Sequence, residues 1–416
     1  MIRIDNKTLI DLEFPLVLLQ ISEFCTTEIG KERTIAIVPF SEEKVILPEL
    51  HRTKEFMASF ENDNGIPNHG FDAITNELQL LEIENSSLEL GGFRRILSVT
   101  NATEGLLKFF KKFEEFYVYL QAFSLEIDYS MDISEGIQNK IDRYGHIKDD
   151  ASQELSAIRK RLNVVKGKIN SSFTKILQRC AQSDYLDEIR ESVVDNRRVL
   201  AVKAMHRRKI NGSILGTSKT GSIVYIEPQE TLDYANELSG LIYEEQEEVK
   251  RIIKELTEYI RPSRHLLHSY QEYLATIDVI YAKARYSLEI NGVLPIVSSE
   301  KRLFLKDAYH PILLLSNRKR KEKTFPQTIE LHSKSRVIVI SGPNAGGKSI
   351  TLKTVGLLQL MLQSGILIPL DPYSEVCFFD KILTDIGDNQ SIENHLSTYS
   401  YRLKKMNQFL KKCNKN

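Results

Sequence analysis

Hydrophobic positions recur at helical spacing through the first 130 residues. The face predicted for the first long helix carries Val17, Leu18, Ile21, Phe24 and Cys25. An aromatic stretch at 109–123 has interleaved acids and no Arg, so we interpret it as a helix or helix pair buried in a core. The alternative is a base-stacking surface. Residues 1–130 are therefore predicted to be mostly helical.

Two longer periodic segments follow. Apolar residues three or four positions apart, close to the spacing of a coiled-coil seam, are Leu155, Ile158, Leu162, Val165, Ile169, Phe173, Ile176 and Cys180. A second stripe, on an acidic helix that Pro262 ends, comprises Leu238, Ile242, Val249, Ile252, Leu256 and Tyr259. We expect the two helices to pair antiparallel as an arm with the intervening residues at its tip. The alternative is two ordinary helices of a bundle.

The pattern changes to β in two places. Residues 190–234 contain VLAVKA and SIVYIEP, separated by turn residues, and predict a small β module. Further on, RVIVI at 336–340 predicts a short buried strand, and TLKTVGLLQLMLQ predicts a helix closed by Gly365. ILIPL at 366–370 and VCFFDKILT at 376–384 predict further strands. Strand, loop and helix in this order indicate an α/β layer.

Composition excludes several classes of protein. The chain has 416 residues, of which 42% are hydrophobic and 27% charged, and this is ordinary for two or three globular domains. Its apolar runs are far shorter than the ~20 residues that cross a bilayer, so no membrane partner is predicted. MIRIDNKTLIDLEF does not resemble a signal peptide, so the predicted compartment is the cytoplasm. The widely spaced cysteines are predicted to be reduced thiols.

The strongest chemical signal is a phosphate-binding loop. SGPNAGGKSIT follows the predicted strand at 336–340 and fits G-x-x-x-x-G-K-[ST], with Gly342, Gly347, Lys348 and Ser349 at the fixed positions. Glycines let backbone N–H groups turn toward phosphate oxygens, and the next helix adds the positive end of its dipole. Lys348 would face the β- and γ-phosphates, and the Ser349 hydroxyl would bind Mg²⁺. The alternative is a structural glycine-rich turn.

Two other candidates for nucleotide chemistry are weaker. Asp380 ends an apolar run, as a magnesium-binding acid would, but Lys381 follows it and the run continues, so we do not assign it a catalytic role. Ser397 and Thr398 precede a predicted helix. They can cap that helix or present hydroxyl and N–H groups to a phosphate.

Charge is segregated although the chain is neutral overall, with 56 basic and 56 acidic residues. Residues 196–220 contain no acid, whereas residues 225–250 are strongly acidic. The basic residues of the first segment are Arg197, Arg198, Lys203, Arg207, Arg208, Lys209 and Lys219. They predict phosphate contact without base reading. The alternative is a hairpin neutralised by the acidic helix, and a second basic run at 318–321 is interpreted as a solvated loop.

Three motifs in order resemble the MutS family. They are SGPNAGGKSITLKTVGLLQLM at 341–361, TDIGDNQSIENHLSTYSYRLKKM at 384–406, and NGSILGTSKTGSIVYIEP at 211–228. The last is typical of the type-two branch, which lacks the mismatch-reading amino-terminal domains. The resemblance covers nearly the whole chain.

The resemblance implies a multidomain α protein with an α/β part. Its predicted divisions are a helical core domain (1–130), first lever helices (131–189), a clamp-like β module (190–234), returning lever helices (235–295) and the first part of a P-loop ATPase domain (296–416). ATP and Mg²⁺ are the implied cofactors. The implied nucleotide contacts are Gly342, Pro343, Asn344, Ala345, Gly346, Gly347, Lys348 and Ser349, joined by Ser397 and Thr398, which would reach a nucleotide in the opposite subunit of a homodimer.

Two departures from the family pattern limit these expectations. No Phe-x-Glu wedge motif opens the chain, so mismatch reading is not supported. The sequence contains no segment that resembles the aspartate–glutamate strand of the family or the Smr nuclease domain of the branch. The catalytic acids therefore stay unassigned, and we expect a fragment that binds ATP without efficient hydrolysis.

Three functional hypotheses follow. The first is a DNA-binding ATPase that acts on branched or recombining DNA and associates with the nucleoid. The second is a ribosome-associated ATPase whose clamp engages rRNA in collided ribosomes. The third is a structural coiled-coil protein with a chance P-loop.

Overall fold

The computed structural model describes residues 4–62, 65–195, 197–298, 300–343 and 347–386, together with residues 403, 406–407 and 409–411. Its helices are α1 (Asn6–Asp11), α2 (Phe14–Ser22), α3 (Glu28–Ile35), α4 (Glu43–Ala58), α5 (Thr75–Glu82), α6 (Leu90–Lys112), α7 (Val118–Ser124), α8 (Asp132–Lys140), α9 (Gln153–Gln182), α10 (Gln229–Ile260), α11 (Arg264–Glu289), α12 (Pro311–Arg320) and α13 (Lys348–Leu362). Its strands are β1 (Leu186–Val194), β2 (Arg197–Lys203), β3 (Gly212–Thr217), β4 (Ile223–Pro228), β5 (Ile296–Val297), β6 (Leu303–Ala308), β7 (Gln327–Leu331) and β8 (Glu375–Val376).

The described part of the chain is predominantly helical and contains two small sheets. Its residues up to 130 are mostly helical as predicted, and the aromatic stretch forms the end of α6, a turn and α7, with Phe110, Tyr117 and Leu120 buried. The chain divides into two compact units. The first comprises Met1–Asn76, Arg95–Ser130 and His265–Asn416, and the second comprises Glu77–Arg94 and Met131–Arg264. The finer division predicted from the sequence stays a prediction.

In the second unit, α9 and α10 form the predicted antiparallel pair. Arg159, early in α9, contacts Glu245 at 2.8 Å, whereas Arg179, near the end of α9, contacts Glu230 at the start of α10 at 2.7 Å. The seam predicted on α9 is confirmed, with Leu162, Val165 and Phe173 among its buried residues. On α10 the predicted stripe is partly wrong: Ile242 and Tyr259 are exposed, and Leu241 is buried in place of Ile242.

A four-stranded antiparallel sheet connects these two helices. Its order is β1-β2-β4-β3, and VLAVKA and SIVYIEP lie in β2 and β4 as predicted. Strand β1 begins at Leu186, within residues 131–189, which were predicted to be helical. Helix α9 ends earlier than predicted, at Gln182. Buried apolar residues of the sheet and α9 share one core, which includes Phe173, Ile176, Leu200, Val202, Val224 and Ile226.

In the first unit, α2, the end of α11 and α13 share one hydrophobic core. Phe14, Ile21, Tyr286, Leu357 and Leu360 are each at most 1% exposed. A second small sheet, with the order β5-β8-β6-β7, lies at the edge of this core. Helix α13 thus has its carboxyl half buried in a core shared with α2 and α11, and Gly365 follows it in the left-handed region, as predicted.

Three strand predictions in the first unit are wrong or too long. Residues 366–370 are buried but make only a single bridge, Ile368 with Val293. Of the run predicted at 376–384, only Val376 lies in a strand, in β8. Residues 336–340 form no strand, and Val337 and Val339 are 78% and 87% exposed. A strand needs a paired neighbour for its backbone N–H and C=O groups, and no described segment pairs with 336–340.

A buried carboxylate fixes the amino-terminal loop of the first unit. Asp278 on α11 is fully buried and accepts hydrogen bonds from the backbone N–H and the hydroxyl groups of Thr26 and Thr27. His69 lies 3.1 Å from the same carboxylate. Burial alone raises the pKa of Asp278, but these hydrogen bonds outweigh it and hold the pKa below its ordinary value.

Gly30 should be intolerant of a side chain, because a methyl group there would overlap the Asp278 carboxylate. We expect Gly30→Ala to lower the free energy of unfolding by about 1–3 kcal/mol through overpacking. The matched control is Gly105→Ala in α6, where nothing lies within 4 Å of the added carbon and the substitution should stabilise the helix. Urea unfolding of both variants measures this, and equal stability of the two variants would contradict the packing argument.

Candidate nucleotide site and basic tip

The described residues of the glycine-rich motif lie on either side of residues 344–346 and lead into α13. Gly342 has φ +151° and Gly347 has φ +82°, both in the region that favours glycine. Gly347 is the N-cap of α13 and Lys348 is its first residue. The Lys348 ammonium donates a hydrogen bond across the turn to the Gly342 carbonyl. The two ends of the motif and the ammonium group are therefore held together at the start of a helix.

The turn presents its functional groups to solvent. Gly342, Pro343 and Ser349 are exposed, and Lys348 is half-buried. The first N–H groups of a helix have no partner within it, so this end of α13 suits an anion. Asn344, Ala345, Gly346, Ser397 and Thr398 lie outside the described residues. Asp380 is exposed and lies outside any described strand.

A cavity of about 340 Å³ lies beside the first turns of α13. Ser349, Ile350 and Lys353 line it from the helix, and Glu13 and His310 line it from elsewhere in the first unit. The Lys353 Nζ lies 2.7 Å from Glu13 Oε1. Sequence reasoning missed this pair, since no local pattern relates residues 340 positions apart.

His310 is a buried member of the same cavity. It is 6% exposed, its Nε2 lies 4.0 Å from Glu13 Oε2, and its Nδ1 has no hydrogen-bond partner among the described residues. Burial lowers the pKa of His310, the Glu13 carboxylate opposes this shift, and Lys353 adds to it. The lowered pKa favours the neutral ring, and Lys353 is the cation that pairs with Glu13.

The structure separates the seven basic residues of the β module into two sets. Three make ion pairs within the second unit: Arg197 with Glu227 at 2.8 Å, Arg198 with Glu191 at 2.6 Å, and Lys203 with Asp184 at 3.0 Å. The Glu227 side chain is only 3% exposed, so its pair with Arg197 has a structural role. Of the acids of α10, Glu230, Glu237 and Glu245 contact arginines of α9, and Glu247, Glu248, Glu255 and Glu258 contact Lys250, Arg251 or Arg261 nearby in sequence.

The other four residues form what we call the basic tip: Arg207, Arg208, Lys209 and Lys219. All four are exposed, and within the described part of the chain none has an ion-pair partner. The first three lie in the 3₁₀ helix Ala204–Lys209, and Lys219 lies in the turn between β3 and β4. The Ala204 N–H donates to the Ser222 carbonyl at 2.9 Å, which brings the start of that helix to the end of that turn.

The basic run at 318–321 is helical, not a loop as predicted. Arg318, Lys319 and Arg320 form the last turn of α12, and Lys321 caps it in the left-handed conformation. Arg318 donates to the Glu289 carbonyl at 2.6 Å. Cations at a helix carboxyl end interact favourably with the helix dipole, and this accounts for the cluster without a ligand.

Among the described residues, no helix is long and apolar enough to cross a membrane. The same residues contain no group of three or more His, Cys, Asp and Glu side chains that could hold a metal ion. The Ser349 hydroxyl at the start of α13 is an oxygen ligand of the type that Mg²⁺ binds.

Comparison with known proteins gives consistent matches. Residues 338–416 match the family model of MutS domain V. The chain is 33% identical over 401 residues to Endonuclease MutS2 of Pediococcus pentosaceus, an alignment that covers 95% of this chain and 50% of that protein. It is 34% identical over 409 residues to Endonuclease MutS2 of Finegoldia magna, covering 96% of this chain and 50% of that protein.

A third relative gives a similar result. Endonuclease MutS2 of Aquifex aeolicus is 32% identical over 412 residues, which cover 99% of this chain and 53% of that protein. The chain thus spans about half the length of the curated relatives that it matches. The similarity extends through both units, and it includes the glycine-rich turn and the β module. The chain belongs to the MutS family and is of the MutS2 type.

Proposed function

We propose that this chain binds Mg²⁺-ATP at the turn before α13 and contacts DNA through the basic tip, as part of a dimeric MutS-family ATPase. The observation that carries the proposal is the contact between the two described ends of the glycine-rich motif. Left-handed Gly347 begins the helix, and Lys348 reaches back to Gly342. A purely structural turn would not need an ammonium group and an exposed hydroxyl at the amino end of α13.

The residues at the turn fit a magnesium-bound triphosphate. The backbone N–H groups of residues 344–349 would surround phosphate oxygens, the Lys348 ammonium would turn from the Gly342 carbonyl to the β- and γ-phosphates, and the Ser349 hydroxyl would bind Mg²⁺. When bound, Mg²⁺ neutralises phosphate charge. By the family resemblance, Ser397 and Thr398 would reach the nucleotide of the second subunit. No residue of this chain is assigned to hydrolysis.

The basic tip suits the phosphate backbone. It offers four exposed cations on two adjacent segments and no acid between residues 196 and 220. Such contacts are salt-dependent and largely independent of sequence. Because the chain resembles the branch that lacks the mismatch-reading domains, we propose branched or recombining DNA as the substrate. No observation on the described residues favours the ribosome as the partner. Ribosome binding is therefore treated only as an alternative outcome of the experiment on the tip.

Lys348→Ala tests the nucleotide site. Loss of the only ammonium group held across the described turn should weaken Mg²⁺-ATP binding by about a hundredfold, in line with charged hydrogen bonds of up to ~3 kcal/mol. Isothermal titration measures the affinity, and thermal unfolding checks the fold. Lys334→Ala, an exposed lysine upstream, is the control and should bind as the parent does. Parental affinity in Lys348→Ala would refute the assignment.

The tip is tested by the salt dependence of binding to branched DNA. Replacing Arg207, Arg208 and Lys209 by Ala should weaken binding and reduce the slope of log K against log[salt] by about 2–3, if each cation neutralises one phosphate. The matched control replaces Arg318, Lys319 and Arg320 by Ala, which removes the same charge from α12.

Two results would redirect this assignment. A lower slope only in the α12 triple variant would move the contact to that helix. Abundant recovery of the chain with ribosomes after DNase treatment, without recovery on chromosomal DNA, would replace DNA by the ribosome as the partner.

A further inference from the structure

We propose that Glu13 is a positioning residue for the nucleotide site: through Lys353, its carboxylate fixes the half of α13 that carries Lys348 and Ser349. This inference rests on the proposed nucleotide binding. It assigns a role to a residue near the start of the chain, far from the glycine-rich motif in sequence.

The two halves of α13 are held in different ways. In the carboxyl half, Leu357, Leu358 and Leu360 are at most 1% exposed and pack in the core of the first unit. In the amino half, Ile350 and Leu352 are 38% and 55% exposed. Hydrophobic packing therefore fixes the end of the helix that lies away from the site, and the amino half needs another anchor.

The segment that carries Glu13 is rigid. Leu12 and Phe14 on either side are 0% and 1% exposed, and a side chain at Gly356 of α13 would overlap Leu12. Glu13 itself has φ +61°, a left-handed conformation that costs a non-glycine residue about 1–2 kcal/mol. Such a conformation persists where the surroundings determine it, here two buried neighbours. The Glu13 carboxylate is thus presented from a fixed point.

Glu13 anchors the amino half directly. Its Oε1 lies 2.7 Å from Lys353 Nζ, and the two side chains are 37% and 27% exposed. Lys353 and Ser349 are four positions apart, so they lie on one face of the helix. Both line the cavity that Glu13 and His310 complete. The ion pair therefore holds the face of α13 from which the Ser349 hydroxyl would reach Mg²⁺.

Loss of this anchor should affect magnesium-dependent binding most. If the amino half of α13 moves, the Ser349 hydroxyl would no longer coordinate Mg²⁺. The backbone N–H groups of the turn would still donate hydrogen bonds to the phosphates. For a half-buried ion pair we expect Glu13→Gln to weaken Mg²⁺-ATP binding by about three- to tenfold. Binding of ATP in EDTA should change less.

The experiment measures the affinity of the 416-residue chain for ATP, with Mg²⁺ and with EDTA, by titration with fluorescent ATP. Glu13→Gln and Lys353→Gln remove the pair from either side, and Glu13→Lys combined with Lys353→Glu reverses it. Glu28→Gln is the control, because Glu28 makes an ion pair of the same length with Lys31 away from α13. We expect weaker Mg²⁺-ATP binding in both single variants, parental binding in the control and recovery in the reversed pair.

The outcomes separate the two levels of the proposal. Parental affinity in both single variants would overturn the positioning role. Equal weakening of ATP binding with Mg²⁺ and with EDTA would also overturn the positioning role, if the variants have a lower melting temperature and the reversed pair does not restore binding. This result would indicate a structural role only. If the parental chain itself binds no ATP under either condition, the proposed function fails, and the positioning role fails with it.

Discussion

Burial of the carboxyl half of α13 is the constraint on which the nucleotide site depends. The core of the first unit brings α2, α11 and α13 together, and fully buried leucines fix the helix along its second half. The glycine-rich turn lies at the other end of the same helix, so its position follows from that packing. Burying side chains of this size provides about 1.5–3 kcal/mol each, so the leucines together outweigh a single half-exposed ion pair at the other end of the helix.

Polar contacts then refine what the core fixes. The Glu13–Lys353 pair and the buried His310 lie against the amino half of α13, where apolar contacts are few. A similar arrangement fixes the loop at Thr26 and Thr27, which the buried Asp278 carboxylate binds. In both places a carboxylate joins segments that are distant in sequence. Such contacts contribute less free energy than the core, but they set the orientation of the parts they join.

The second unit uses charge in another way. Ion pairs join its two long helices, α9 and α10, along their length. Three of the seven basic residues of the β module are paired with acids of the same unit. The remaining four cations stay exposed on adjacent segments. The net charge of residues 196–220 therefore suggested a larger phosphate-binding surface than the structure supports. The three ion pairs reduce the candidate cations from seven to the four of the basic tip.

Local patterns predicted the helices better than the strands of the first unit. The spacing of Leu162, Val165 and Phe173 identified α9, because a helix is determined by contacts within one segment. The exposed run at 336–340 and the buried run at 366–370 were both expected to be strands, yet a strand depends on a partner that sequence spacing does not specify. Likewise the motif identified Lys348 and Ser349, but nothing local indicated Glu13.

The central claim is that the turn before α13 forms a pocket for a nucleoside triphosphate, and amide hydrogen exchange tests it most directly. With saturating Mg²⁺-ATP, exchange should slow in the peptide covering residues 341–350, where phosphate would accept hydrogen bonds from backbone N–H groups. The buried half of α13 should be little changed. Identical exchange of this peptide with and without Mg²⁺-ATP would contradict the account.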